Sequence, residues 1–150
     1  DCRICLCSIW SGLAEMTYKN FELQLNKKLV DTDEKIEDAI SLIAMDSLRS
    51  IVLMSPVDTG RFRGNWIVSK NRMNPAKVNK LDKTGTSSIT RGTQTIETFE
   101  YKKDKSIIIQ NNLPYAMRLE NGHSKQAPEG IVAKTLNNIQ TKYKRQNILL

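Results

Sequence analysis

Cysteine is confined to the very start of this 150-residue chain, at Cys2, Cys5 and Cys7, with none from Ser8 to Leu150. The body of the protein therefore owes nothing to disulfides and suits a reducing compartment. Three soft ligands without a fourth Cys or His nearby fall short of a structural zinc site. Histidine occurs once, at His123. A lone His removes the paired-His spacings of zinc hydrolases. In the polar loop "ENGHSKQAP" it reads as a solvated or interface residue, not as a general base. No apolar run approaches the length of a membrane-spanning helix. The short stretch "ICLCSIWSGLA", preceded only by Arg3, is a thin candidate for a secretory core. Met16 opens "MTYKNFELQLNKK" like an ordinary N-terminus. Residues 1–15 are therefore expected to lie outside the folded unit, with a single domain over 16–150.

Hydrophobic residues make up 39% of the chain and charged residues 26%, a balance compatible with one globular core. The formal net charge is +7. That excess favours solubility and weak attraction to polyanions, and does not by itself define a nucleic-acid site.

"FELQLNKKL" alternates apolar and polar at Phe21, Leu23 and Leu25, the period of a half-buried strand, with a short helix as the alternative. Asp31 with Glu34, or Thr32 in competition, then offers a helix cap. Ile36, Ala39, Ile40, Ile43, Ile51 and Met54 recur at helical spacing, predicting a helix of about 22 residues that Ser55-Pro56 ends. Next comes "SPVDTGRFRGNW". Asp58 reads as a turn residue whose side chain holds backbone N–H groups near Gly60. The following residues read as a strand, with Phe62, Gly64 and Trp66 on one face and Arg61, Arg63 and Asn65 on the other. Residues 70–94 read as a long protruding loop. "TQTIETFEY" and "KSIIIQN" read as the two strands of a hairpin across "KKDK". Pro114 and Gly122 bracket a short helix. In the last helix Val132, Leu136, Ile139 and Tyr143 share a face, and Lys142, Lys144 and Arg145 suit its C-terminal end. The expected fold is α+β: a small antiparallel sheet of three to four strands packed against a long N-terminal helix and a C-terminal helix, with edges open to self-association.

Chemistry is hard to assemble from these residues. "GRFRGNW" lacks the Lys-Ser/Thr of a phosphate loop and does not run from a strand into a helix. Glu120 and Glu129 are separated by a loop and read as solvated surface carboxylates. Arg and aromatic residues interleaved over 61–66 suit base stacking and phosphate contact, which keeps a basic nucleic-acid-binding module as the alternative reading. Inward aromatics and outward arginines fit a subunit interface better.

Two blocks, in this order, carry a resemblance. The first is Pro56, Val57, Asp58, Thr59, Gly60, Phe62, Arg63 and Trp66. The second is Asn112, Pro114, Tyr115, Ala116, Glu120, Gly122, Ser124, Pro128 and Gly130. Together they resemble the tail-completion family of tailed bacteriophages, also described as the minor tail protein Z or neck/tail-terminator group. The likeness runs over residues 30–145 by organisation and over about 30 residues by close motif. Residues 1–15 have no counterpart, and the 70–94 loop departs from any fixed pattern.

The resemblance implies a structural virion protein without catalysis, cofactor or metal, assembled in the host bacterial cytoplasm. It implies a hexameric ring around the DNA channel that caps the tail tube or joins the tail to the filled head. Its partners would be further copies of itself, a head-side connector or stopper protein and the tail tube protein, with passive contact to DNA and none to membrane. Asp58, Thr59, Arg61, Arg63, Tyr115, Glu120, His123 and Ser124 are the expected interface residues.

Overall fold

The computed structural model describes residues 7–145. The cysteine cluster lies outside the described residues and side chains. Seven elements follow in order: α1 (Cys7–Met54), α2 (Arg61–Gly64), β1 (Trp66–Lys70), α3 (Thr86–Glu97), β2 (Ile107–Asn111), α4 (Ala116–Glu120) and α5 (Val132–Arg145). The chain divides into two units, Asp1–Ile36 and Glu37–Leu150.

Within the first unit the described chain is helical, and the strand expected around Leu23 and Leu25 is absent. Both leucines are exposed, at 68% and 47%, so their alternation marks no buried face. Good helix formers with no Gly or Pro between Met16 and Met54 continue the helix instead. Thr32 caps nothing: its Oγ1 donates to the Lys28 carbonyl at 2.7 Å, one turn back in the same helix.

The second unit holds the core. Residues 37–54 of α1 contribute Ala44, Leu48, Ile51 and Val52, and around them gather Phe62, Trp66, Val68, Ile96, Leu113, Ala127 and Ile131. Leu48, Val52 and Ile96 are fully enclosed. Burying a side chain of this size stabilises by about 1.5–3 kcal/mol. The helix stops at Met54, as Ser55-Pro56 predicts.

The described residues form α+β structure with one two-stranded antiparallel sheet. β1 and β2 pair in the register Trp66↔Asn111, Val68↔Ile109 and Lys70↔Ile107. The partner of "KSIIIQN" is therefore "WIVSK" and not "TQTIETFEY", and the sheet has fewer strands than expected. The stretch read as a strand lies partly in α3. Ser88, Gly92 and Ile96 are buried at helical spacing, and the missing side chain at Gly92 lets α3 approach Leu48 and Val68. Tertiary packing thus overrides the β preference of the threonines. Asp82 secures the start of α3, accepting from Gly85 N (2.7 Å), Ser88 N (2.9 Å), Ser88 Oγ (3.0 Å) and Thr84 Oγ1 (3.1 Å). Burial pushes its carboxyl up, but these donors together hold it below the ordinary value.

The long loop contracts accordingly to 71–85. At its start Asn71, with φ 63°, donates through Nδ2 to Asp104 Oδ1 at 2.8 Å and accepts from Lys105 N at 2.6 Å. Lys70 Nζ reaches Asp104 Oδ2 at 2.8 Å, and this ammonium is the main cause that holds the Asp104 carboxyl at about 2.

The two C-terminal helices form where the sequence predicts them, with one change of face. Thr135, Ile139 and Tyr143 are buried in α5, whereas Leu136 is 54% exposed. The buried stripe turns one residue away from the expected Leu, and Thr135 tolerates burial because its Oγ1 donates to the Ile131 carbonyl at 2.8 Å.

Candidate functional site

The elbow after α1 is built by a Pro, a left-handed Gly and a single helical turn, where the sequence suggested a strand. Gly60 has φ 84°, and a Cβ there would stand 2.6 Å from Lys83 N. Only glycine fits that conformation at that approach. The turn α2 follows at once, and β1 starts at Trp66. Phe62 and Trp66 still face inward, edge to face at 5.8 Å between ring centroids. No hydrogen bond of the Asp58 carboxylate closes this turn among the described residues. Thr59 Oγ1 instead accepts weakly from Arg61 N at 3.4 Å.

The second sequence block is brought against the first by one side chain. Gln126 accepts from Val57 N through Oε1 at 2.8 Å and donates through Nε2 to Val57 O at 3.0 Å. A side-chain amide thus makes the pair of bonds a neighbouring strand would make. Beside it the Tyr115 ring lies 6.0 Å from Phe62. Between the blocks opens a cleft of ≈ 260 Å³. Asp58, Thr59 and Arg61 line one wall, Tyr115 and Ser124 the other, and Phe62 and Leu119 contribute apolar surface.

Five of the eight expected residues therefore share one cleft. The other three have different surroundings. Arg63 is spent inside the unit: Nη1 donates to Lys83 O at 2.7 Å, and Nη2 donates to Ser55 O at 2.8 Å and to Leu53 O at 3.1 Å. The Leu53 and Ser55 carbonyls lie at the end of α1, where a cation is favoured. Glu120 is not a solvated surface group. Its Oε2 accepts from Ile131 N and Val132 N, both at 2.9 Å, and Oε1 from Ala133 N at 3.0 Å. Burial raises its carboxyl, but the three amides at the start of α5 outweigh that and hold it below the ordinary value. His123 is exposed and turned to its own helix end, with Nδ1 3.1 Å from Arg118 O, an arrangement that makes this nitrogen the donor.

Gln126 and Leu119 belong to the cleft and went unnoticed in the sequence. Nothing in "HSKQAPEG" distinguishes a clamp from an ordinary loop amide, since its partner is 69 residues away.

The cleft offers one carboxylate, one guanidinium and three hydroxyls around apolar carbon. Neither Asp58 nor Arg61 has an ion pair among the described residues, although they share a rim. Such an arrangement suits recognition of another protein surface: apolar floor, aromatic wall and a rim of open charges. Among the described residues, no three His, Cys, Asp or Glu side chains come together to hold a metal ion, and no helix is long and apolar enough to cross a membrane. Compared with protein-family models, curated proteins and solved structures, the chain matches none.

Proposed function

We propose that this chain is a structural protein of a bacteriophage neck, capping the tail tube or joining the tail to the filled head, as a ring of copies around the DNA channel. One observation supports the reading above others: both resemblance blocks, separated by 45 residues of sequence, meet in one cleft. A family pattern retained for stability alone would end in the core. Here Asp58, Thr59 and Tyr115 are exposed. The rim carries open charges of both signs, so it is suited to pair with the same chain in a second copy. Repetition around a ring makes each successive weak contact intramolecular. The proposed role has no catalytic step, cofactor or metal.

The test is a charge swap in the virus that encodes the chain. Asp58→Lys and Arg61→Glu should each lower the yield of joined, infectious particles. The double variant should recover part of that loss if the two charges meet across copies. Normal titres from both single variants would remove the cleft from assembly.

A further inference from the structure

Residues 72–83 form a strap without helix or strand. We propose that this strap, with Arg61 beside it, is a docking surface for the phosphate backbone of duplex nucleic acid. The inference goes beyond the neck reading and does not depend on ring formation.

Charge comes first. Arg61, Arg72, Lys77, Lys80 and Lys83 are all exposed. None of these five side chains makes a hydrogen bond or ion pair with the described residues. The one acid of the strap, Asp82, is buried and committed to the start of α3, so it offsets nothing at the surface. Elsewhere in the unit cations are commonly consumed: Lys70 by Asp104, Lys134 by Glu129, Lys142 by Asp46, and Arg63 and Arg91 by backbone carbonyls. Open cations occur elsewhere in the unit as well, at Lys105, Arg118, Lys125, Lys144 and Arg145, but the strap gathers Arg72, Lys77, Lys80 and Lys83 within twelve residues.

Order comes second. A basic loop without structure must be immobilised on binding, at a cost for every side chain and peptide unit fixed. Here the backbone is already held. Gln110 accepts from Asn74 N at 3.2 Å and donates to Asn74 O at 2.5 Å. Asn112 Nδ2 donates to Asn74 O at 2.7 Å and Ala76 O at 2.6 Å. The buried Asn65 accepts from Val78 N at 2.6 Å. Asp82 N donates to Gly60 O at 3.1 Å, and a Cβ at Gly64 would collide with the Lys80 carbonyl. Lys80 and Lys83 thus leave the backbone beside the two glycines that flank Arg61.

The class of ligand follows from what accompanies the cations. The four cations of the strap itself line no part of the cleft described above, on whose rim Arg61 stands, so the surface is no cradle for a single small anion. Residues 71–85 contain no aromatic side chain on which unpaired bases would stack. Cations spread along a held backbone instead suit the repeating charges of a double helix, read without regard to sequence.

The experiment measures binding of the whole chain to a labelled duplex of about 25 base pairs, and to one strand of it, between roughly 50 and 200 mM salt. Neutralising Lys77→Gln, Lys80→Gln and Lys83→Gln together should reduce the slope of log K against log salt by about 2 to 3, at roughly 0.9 per phosphate contact. The matched triple Lys125→Gln, Lys144→Gln and Arg145→Gln removes the same charge from other exposed positions and should leave the slope nearly unchanged. Unaltered thermal melting checks that each triple folds, and single neutralisations, each lowering the slope by about 0.9, replace a triple that does not. Equal losses from both triples would reduce the effect to net charge and overturn the proposal. So would tighter binding of the single strand, salt-dependent self-association without duplex binding, or no duplex binding at the lowest salt. Each of these results leaves the particle-assembly test untouched.

Discussion

Trp66 Nε1 donates to Ser55 Oγ at 2.8 Å inside the second unit, and Ser55 Oγ donates in turn to the Ile51 carbonyl at 2.7 Å. This relay fastens the first residue of β1 to the end of α1, across the whole elbow. Both residues are buried, so neither end has water as a substitute. Ser55→Ala should cost about 1–3 kcal/mol, because it leaves the indole N–H unpaired. Trp66→Phe should also destabilise, and a double-mutant cycle of the two by urea unfolding should show coupling of about 1 kcal/mol. Additive losses would mean that the bond contributes nothing of its own.

Arg61 and Arg63 are two residues apart and should behave as opposites. Arg63 donates to three carbonyl oxygens, so Arg63→Met should lower stability by about 2 kcal/mol. Arg63→Lys should recover little, since a point charge cannot serve that fork of acceptors. Arg61→Ala removes an exposed, unpaired side chain and should change stability by under about 0.5 kcal/mol. Denaturant midpoints of the three variants decide the matter. If Arg61→Ala unfolds the protein as readily as Arg63→Met, the division between structural and surface arginine fails.

The acid limb of stability should run partly through Glu120. Its folded pKa lies below the ordinary 4.5, so its contribution is fully present above that value and is lost as pH falls through the folded one. Glu120→Gln should cost about 1–2 kcal/mol near neutrality and should lose less on further acidification than the wild type. Asp46 and Asp82 are shifted in the same direction, so the limb should flatten without vanishing. Unfolding at a series of pH values between about 2 and 7 measures this, and parallel curves for the two proteins would contradict it.

Tyr143 sets a limb at the other end. Burial first, and then its 2.6 Å bond to the Asp46 carboxylate, push the phenol up to about 12 from its ordinary 10.0. The neutral phenol is the form that fits. Its stabilisation is complete below pH 10 and is lost as pH rises towards 12. Tyr143→Phe should be less stable at pH 7 and should show a smaller fall in stability from pH 9 to 12, as followed by circular dichroism during alkaline titration. An unchanged alkaline fall would place the responsible group elsewhere.

Legibility in the sequence followed the distance over which each cause acts. The stop of α1 was readable because Pro56 acts on the residue beside it. The start and stop of the short α4 were readable from Pro114 and Gly122 for the same reason. The inward aromatics survived a misassigned element, because Phe62 and Trp66 fall on one side both in a strand and four residues apart on a helical turn. The α3 helix was hidden because its threonines favour strands locally, while the deciding contacts, Gly92 against Leu48 and Val68, come from elsewhere in the chain. The same holds at the cleft. Asp58, Thr59, Tyr115 and Ser124 could be named from motif, and Arg61 from the alternation of arginines with aromatics. The Gln126 clamp, the Arg63 staple and the Glu120 cap each depend on a partner that no local pattern announces.

Assembly at the head–tail junction would be visible by electron microscopy of the particles. The genome that encodes this chain is given an early stop codon after Met16, and the lysate is imaged with and without the wild-type protein supplied in trans. A neck role predicts DNA-filled heads beside separate tails, or tails of irregular length, with joined particles restored by the supplied protein. Intact, infectious particles from the interrupted gene would contradict it.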